Sequence, residues 1–155
     1  NYESKKQTGA SLTSIVDSRE VVQAFDASGQ HERPAMNALV EQVLGESLRL
    51  DAGFIDRALA KKIVDNGMTP FIFPKKNNVL NGHSSWKQMF LDLLTDVMAW
   101  LTEYHQRSHT ESFHSSLKRK NPPVRKLRPV ARLTQITARI ILHNRRRIDY
   151  FSRQD

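Results

Sequence analysis

Residues 47–73 read SLRLDAGFIDRALAKKIVDNGMTPFIF, and this stretch decides how the rest of the chain is interpreted. It begins with a short apolar run at 47–50 and ends with another at 68–73, each of a length typical of a strand. Between the runs, Leu59 and Ile63 lie one helical turn apart. The order strand, helix, strand predicts two parallel strands with a helix packed against them.

A second pattern precedes this unit. Residues 10–16 and 21–25 are rich in β-branched side chains and flank a polar turn, which predicts an antiparallel hairpin. Pro34 then opens an amphipathic helix, and Gly45 lies just past its end. We therefore expect an α/β fold in which one mixed sheet, made of the antiparallel hairpin plus parallel strands, is flanked by helices.

The last part of the chain is helical in pattern. From Ser84 apolar residues recur at three- and four-residue steps, and the polar stretch 102–120 holds no Gly or Pro, so one long helix or two abutting helices would both fit. Within the apolar stripe, Trp86 and Trp100 are expected in the core. Pro129 opens a final helix, whose apolar residues are predicted to face inward: Val130, Leu133, Ile136, Ile140 and Ile141.

Charge divides the chain unevenly. The sequence has 155 residues and a formal net charge of +8. Residues 1–103 hold 11 basic and 13 acidic side chains, whereas residues 104–155 hold 13 basic and 3 acidic ones. Such a density of positive charge favours a polyanion such as nucleic acid, although a solubilising surface would produce the same composition.

Two classes of protein are excluded by composition. The chain has no cysteine, so it cannot form a disulfide, a thiolate zinc site or a cysteine nucleophile. It also has no apolar run long enough for a membrane span.

Asp51 stands where the strand at 47–50 ends, which is where parallel sheets present ligand-binding residues. The alternative is that its carboxylate caps the next helix. Lys75 and Lys76 follow the second strand of the same unit, so they are candidates for phosphate contact, and a solvated loop is equally compatible with their positions.

A second set of candidates occurs at 104–118, which reads YHQRSHTESFHSSLK. On a continuous helix Tyr104, Arg107, Glu111 and Lys118 would project from one arc about 60° wide. Glu111 could hold a divalent cation while the bases grip flanking phosphates. The alternative is a solvated helix face with an internal ion pair between Arg107 and Glu111.

The spacing of these four residues resembles the Y-R-E-K signature of DDE-type insertion-sequence transposases. Residues 50–54, LDAGF, resemble that family's strand-borne aspartate block. The resemblance implies a ribonuclease-H-like fold and a metal site with Asp51 and Glu111 as catalytic ligands for Mg²⁺ or Mn²⁺, two ions in the complete enzyme. By the same resemblance, Tyr104, Arg107 and Lys118 would contact DNA or orient the catalytic helix.

One catalytic ligand of the family has no counterpart here. The family's first acid lies on a strand just upstream of such a hairpin, and neither Asp17 nor Asp26 substitutes for it by position. We therefore expect residues 1–155 to be the C-terminal part of a transposase catalytic core without its first strand, which binds DNA but does not cleave it efficiently.

The reaction implied by the resemblance is metal-dependent phosphodiester hydrolysis and strand transfer at transposon ends. The implied partner is double-stranded DNA, both transposon ends and target, with a homodimer on DNA left open. The implied location is the nucleoid in the cytoplasm of a prokaryote. Two alternatives remain at this stage: a catalytically degenerate remnant that only binds nucleic acid, and a ribonuclease-H-like nuclease.

Overall fold

A computed structural model describes residues 11–29, 31–125 and 128–154. The chain forms four strands and six α-helices in that part. The strands are β1 (Thr13–Val16), β2 (Val22–Asp26), β3 (Ser47–Leu50) and β4 (Thr69–Ile72). The helices are α1 (Glu32–Val40), α2 (Arg57–Asp65), α3 (Ser84–Thr95), α4 (Val97–His105), α5 (Ser108–Lys120) and α6 (Pro129–Phe151).

The strands pair as the sequence predicts, but they form two pairs instead of one sheet in the described residues. β1 and β2 are antiparallel, with a register shift between Ile15 and Val16. β3 and β4 are parallel, and Leu50 lies opposite Ile72. No ladder joins β1 to β3 in the described ranges. The structure is therefore a mixed α/β arrangement compatible with a ribonuclease-H-like fold.

Both strand pairs nevertheless contribute to one apolar cluster. Ile15 of β1 and Leu50 of β3 are buried in the same apolar cluster, which also takes in the buried faces of α1, α2 and α3. Side chains alternate across a strand. Accordingly, Val16 packs in a second cluster with α5 and α6, and Arg49 donates to the Glu103 carbonyl at the end of α4. Helices thus cover both faces of the strands.

The Asp17 carboxylate helps to hold the hairpin turn. Asp17 Oδ1 accepts hydrogen bonds from the backbone N–H groups of Arg19 and Val21, both at 2.9 Å. Between them Glu20 has φ of +61°, an uncommon conformation for a residue with a side chain. Asp17 therefore has a structural role in the turn.

Three helices, instead of one or two, occupy residues 84–120. α3 ends at Thr95, because Asp96 turns the chain and its Oδ1 caps the next helix by accepting from the Ala99 N–H at 2.9 Å. A second turn separates α4 from α5, so Tyr104 and Glu111 lie on different helices. The prediction that one continuous helix carries these residues is therefore wrong, although Arg107 still contacts both Tyr104 and Glu111.

Two of the amphipathic helices differ in detail from their predicted pattern. α1 ends at Val40, before Gly45, and Leu44 is 95% exposed beyond it. On α6 only two of the five apolar residues predicted to face inward are buried, Ile136 and Ile140. The other three are exposed: Val130, Leu133 and Ile141. Both tryptophans, in contrast, are buried as predicted.

In the part of the chain that the structure describes, no helix combines the length and apolar composition needed to cross a bilayer.

Candidate functional site

A groove of about 490 Å³ runs between β1 and β3. Every residue of both strands lines it, and the adjoining wall comes from the turn between α4 and α5 and from the first half of α5. Asp51 and Glu111 both line this groove, although sixty positions separate them in the chain. The fold thus brings the two predicted catalytic acids to one cleft.

Asp51 lies immediately after β3, and its side chain caps a short 3₁₀ turn at Ala52–Phe54. Its Oδ1 accepts from the Ala52 N–H at 2.7 Å. The capping role considered from the sequence is therefore present, and it engages one oxygen. The residue is exposed, so its other oxygen can meet a ligand in the groove.

Glu111 lies in the first turn of α5 and pairs with Arg107, the residue that precedes the helix. Arg107 Nη1 donates to Glu111 Oε1 at 2.7 Å, which is the ion pair considered from the sequence. The pair is substantially exposed, so its own contribution to stability is small. One oxygen of this carboxylate is likewise engaged.

The charges of both acids affect the pKa of Tyr104. Burial raises the pKa of its phenol, Arg107 opposes that shift, and the negative charges of Asp51 and Glu111 raise the pKa further. All three charged groups therefore act on one phenolic oxygen. Since Tyr104 is only 7% exposed, it lies inside the protein.

Aromatic rings fix the position of Tyr104. Its ring stacks on Trp100 with centroids 5.3 Å apart and contacts Phe73, which follows β4, at 5.6 Å. The Arg107 guanidinium lies 5.4 Å from the Tyr104 ring centroid. Neither Trp100 nor Phe73 was singled out for this position by the sequence, because the spacing of aromatic residues does not show which helix and strand will meet.

The remaining predicted site residues lie outside the groove. Lys118 is exposed on the last turn of α5. Lys75 and Lys76 are exposed beyond β4, and the Lys75 N–H closes a local turn onto Asn78. Because β3 and β4 are parallel, these lysines and Asp51 lie beyond the same, carboxyl-terminal end of the strand pair. Their contact with phosphate stays a prediction.

His114 also lines the groove, although the sequence favoured a solvated or packing histidine there and did not place it in the site. Its Nε2 lies 3.1 Å from the Ser14 hydroxyl of β1. Burial lowers the pKa of this imidazole, Lys118 lowers it further, and Glu32 partly opposes both. The histidine therefore favours its neutral form and joins α5 to the hairpin.

The fit of a divalent metal can be judged from the two acids. Carboxylate oxygens are the ligands that Mg²⁺ prefers, and it commonly uses one or two of them together with water and substrate phosphates. Asp51 and Glu111 supply carboxylates of this kind to one groove, and their sharing of an ion stays a prediction. Among the described residues no group of three or more acidic, histidine or cysteine side chains is arranged to hold a metal.

The site thus defines a class of protein: an α/β domain with two carboxylates on one groove and a basic helical surface beside it. The sequence matches the transposase DDE domain family over residues 1–145. The chain belongs to this family, which confirms the resemblance seen in the Y-R-E-K spacing. Comparisons with curated proteins and with solved structures gave no match.

Proposed function

We propose that this chain belongs to a transposase catalytic core that binds double-stranded DNA and positions Asp51 and Glu111 on a scissile phosphodiester. The observation that supports this most is the shared groove, since both acids line it and both act on the Tyr104 phenol. Family membership supports the reaction class, which is hydrolysis followed by strand transfer at transposon ends.

Asp51 and Glu111 would hold Mg²⁺ or Mn²⁺ through their oxygens. A bound ion would supply Lewis-acid stabilisation of the oxygens that enter and leave the phosphate. Two ions are expected in the complete enzyme. With two carboxylates, we expect the ion to bind weakly without DNA, because the phosphates themselves would provide further ligands.

Tyr104 and Arg107 position Glu111 in this proposal. The phenol is buried, so we assign it to holding Arg107 in place, and Arg107 in turn holds one oxygen of Glu111. This arrangement fixes the carboxylate before DNA binds. Fixing it in advance lowers the entropic cost of reaching a reactive geometry.

The DNA backbone would lie along α5 and α6. The last turn of α5 carries Lys118, Arg119 and Lys120. On α6, Arg145 and Arg146 are exposed, and Asp149 pairs with Arg145. Because each phosphate contact releases condensed counterions, this surface predicts binding that weakens steeply as salt rises.

Manganese binding tests the metal site. We expect isothermal titration to detect Mn²⁺ binding in the presence of a short duplex, and Asp51→Asn or Glu111→Gln to weaken it at least tenfold. Glu41→Gln is the matched control, because Glu41 is an equally exposed acid paired with Lys62 away from the groove. Equal Mn²⁺ binding by all four proteins would refute the assignment.

Duplex binding tests the DNA surface separately. Fluorescence anisotropy across a salt series should show tighter binding at low salt. Lys118→Ala should reduce the slope of log binding constant against log salt concentration by the amount expected for about one phosphate contact. Lys87→Ala, an exposed lysine on α3, should leave the slope unchanged. We expect this chain to nick DNA slowly. Nicking as fast as that of an active transposase, and lost in Glu111→Gln, would contradict that expectation.

A further inference from the structure

Asp51 and Glu111 reach the site from two separate parts of the chain. Asp51 directly follows β3, whereas Glu111 is held by Arg107 in the turn after α4. The distance between the two carboxylates therefore depends on how β3 is fixed against the last turn of α4. The side chain of Arg49 makes such a connection, from a position on β3 two residues before Asp51.

Arg49 holds Glu103 by both its main chain and its side chain. Arg49 Nε donates to the Glu103 carbonyl at 2.6 Å, and Nη2 donates to the Glu103 carboxylate. Glu103 directly precedes Tyr104 in the last turn of α4, where carbonyl groups lie beyond the regular hydrogen bonds of a helix and attract cations. Because a guanidinium is a rigid planar fork, two such bonds fix both the distance and the orientation of the helix end.

Aromatic contacts continue this connection from Arg49 to the phenol of the site. Arg49 lies opposite Phe71 in the parallel ladder, and its guanidinium carbon is 5.7 Å from the Phe71 ring centroid. The Phe71 ring centroid is in turn 5.5 Å from that of Trp100, and the Trp100 ring stacks on Tyr104. Arg49 thus joins its own strand, β4 and α4 at one point.

The ion pair between Arg49 and Glu103 should itself add little to stability. The two side chains are 21% and 45% exposed, and ion pairs open to solvent contribute at most about 1 kcal/mol. Its effect on position is of more consequence, since a displacement of about 1 Å is enough to impair a reactive geometry. The contacts of Arg49 therefore point to a role in placing the two acids.

We propose that Arg49 is a positioning residue, whose guanidinium fastens the last turn of α4 to β3 and thereby holds Asp51 at a fixed distance from Tyr104 and Glu111. This role rests on the proposed function, since it concerns how the two acids of that site are brought together. Arg49 itself contacts neither metal nor DNA in this proposal.

A double-mutant cycle read out at Tyr104 tests this role without metal or DNA. The negative charge of Asp51 raises the pKa of the Tyr104 phenol, so Asp51→Asn should lower that pKa in the wild type. The size of the decrease measures how closely Asp51 is held to the phenol. The ring-carbon chemical shift of Tyr104, followed by NMR as pH rises, gives the pKa of each variant.

We expect Arg49→Met to reduce the effect of Asp51→Asn by at least half, because the fastening of α4 to β3 is lost. Arg49→Lys should reduce it as well, since lysine keeps the charge but lacks the planar fork that donates to two groups at once. If Arg49→Met does not fold, Arg49→Lys provides the test with a smaller disturbance of packing.

Arg57→Met is the matched control. Arg57 Nη2 donates to Asn81, and its guanidinium carbon also lies 5.7 Å from a ring centroid, that of Trp86. These contacts are with α3 and the loop before it, so the substitution removes similar interactions at a different place. The effect of Asp51→Asn should be the same in this background as in the wild type.

Three results would overturn the proposal. An undiminished effect of Asp51→Asn in Arg49→Met would show that Arg49 does not hold the two groups together. An undiminished effect in Arg49→Lys would assign the role to charge alone. The absence of any effect in the wild type would leave no coupling for Arg49 to maintain. Failure of the wild type to bind Mn²⁺, in contrast, would refute the proposed function and leave this measurement unaffected.

Discussion

The two faces of the strand layer are covered in different ways. On one face α1, α2 and α3 form a large apolar core that is continuous from Ile15 to Ile72. On the other face α5 and α6 share a much smaller apolar cluster centred on Phe113. Directed polar contacts supplement it: Asn144 and His143 hydrogen-bond the backbone of β2 and its turn. We call these the apolar layer and the basic layer.

The difference reflects what each layer must expose. Helices α1 and α2 bury most of their apolar residues, and α3 buries Trp86 and Met89 but leaves Leu91 and Leu94 exposed, so this layer is stabilised mainly by area removed from water. Helices of the basic layer carry a dense positive charge, and burying it would cost far more free energy than leaving it in solvent. Their attachment therefore depends on a few buried residues, and single substitutions there should have large effects.

Phe113→Ala should give the largest loss of stability. The side chain is 0% exposed and contacts His143 edge-on at 4.9 Å, so truncation leaves a cavity between α5, α6 and the hairpin. We expect the free energy of unfolding in urea to fall by about 3–5 kcal/mol. Leu133→Ala, at an exposed position of α6, should change it by less than about 0.5 kcal/mol. A loss below about 1 kcal/mol at Phe113 would show that the basic layer does not depend on this cluster.

Asn144→Leu should have the next largest effect. Asn144 Oδ1 accepts from the Val22 N–H at 2.8 Å, and its Nδ2 donates to the Val22 carbonyl at 2.9 Å. Removing the amide leaves two backbone groups without a partner, at a cost of roughly 2–3 kcal/mol. Asn37→Leu is the control, because Asn37 donates only to an exposed carbonyl within α1. Equal thermal unfolding of both variants would break the proposed distinction between the layers.

The apolar layer was largely predictable from the sequence, and the basic layer was less so. The spacing of apolar residues and the lengths of the apolar runs identified the hairpin, both parallel strands and α2, because local sequence patterns determine those elements. The breaks within 84–120 were not identified. One of them carries a local signal, since Asp96 is an N-cap type of residue inside an apolar stripe. The inward face of α6 could not be predicted, because hydrogen bonds from Asn144 and His143 help to orient that helix.

The candidate site shows the same limit. The spacing within 104–118 led to the family, although the arc that suggested it assumed a continuous helix. Asp51 was found because strand ends in parallel pairs are common ligand positions. The sequence did not place His114 or the aromatic neighbours of Tyr104 beside the site, because their positions depend on which surfaces of distant elements meet.

A smaller effect is expected from pH through His114. Its pKa is lowered in the folded protein, so the unfolded chain binds the proton more readily as pH falls. The folded state is thus favoured above the ordinary histidine pKa of about 6.5 and loses that advantage as pH decreases. One group gives a slope of at most about 1.4 kcal/mol per pH unit. The free energy of unfolding, measured in urea from pH 7 to pH 5, should therefore depend less on pH in His114→Gln than in the wild type. If both proteins show the same pH dependence, another group is responsible for it.

The smallest effect on stability should come from the exposed ion pairs. The pair in the basic layer should also affect the pKa of a neighbouring group, whereas the pair in the apolar layer should not. Arg107–Glu111 in the basic layer and Lys61–Asp65 in the apolar layer are both i,i+4 pairs with short contacts. Replacing the basic residue of either pair with alanine should lower the free energy of unfolding by only about 0.3–0.5 kcal/mol.

Only Arg107→Ala should also raise the pKa of Tyr104, because the guanidinium lowers that pKa whereas Lys61 does not act on it. Glu111→Gln should lower it, since the carboxylate raises it. The ring-carbon chemical shift of Tyr104, followed by NMR as pH rises, measures both changes. Opposite shifts would show that Arg107, Glu111 and the buried phenol form one electrostatic unit, and a Tyr104 pKa indifferent to both substitutions would separate the phenol from Glu111.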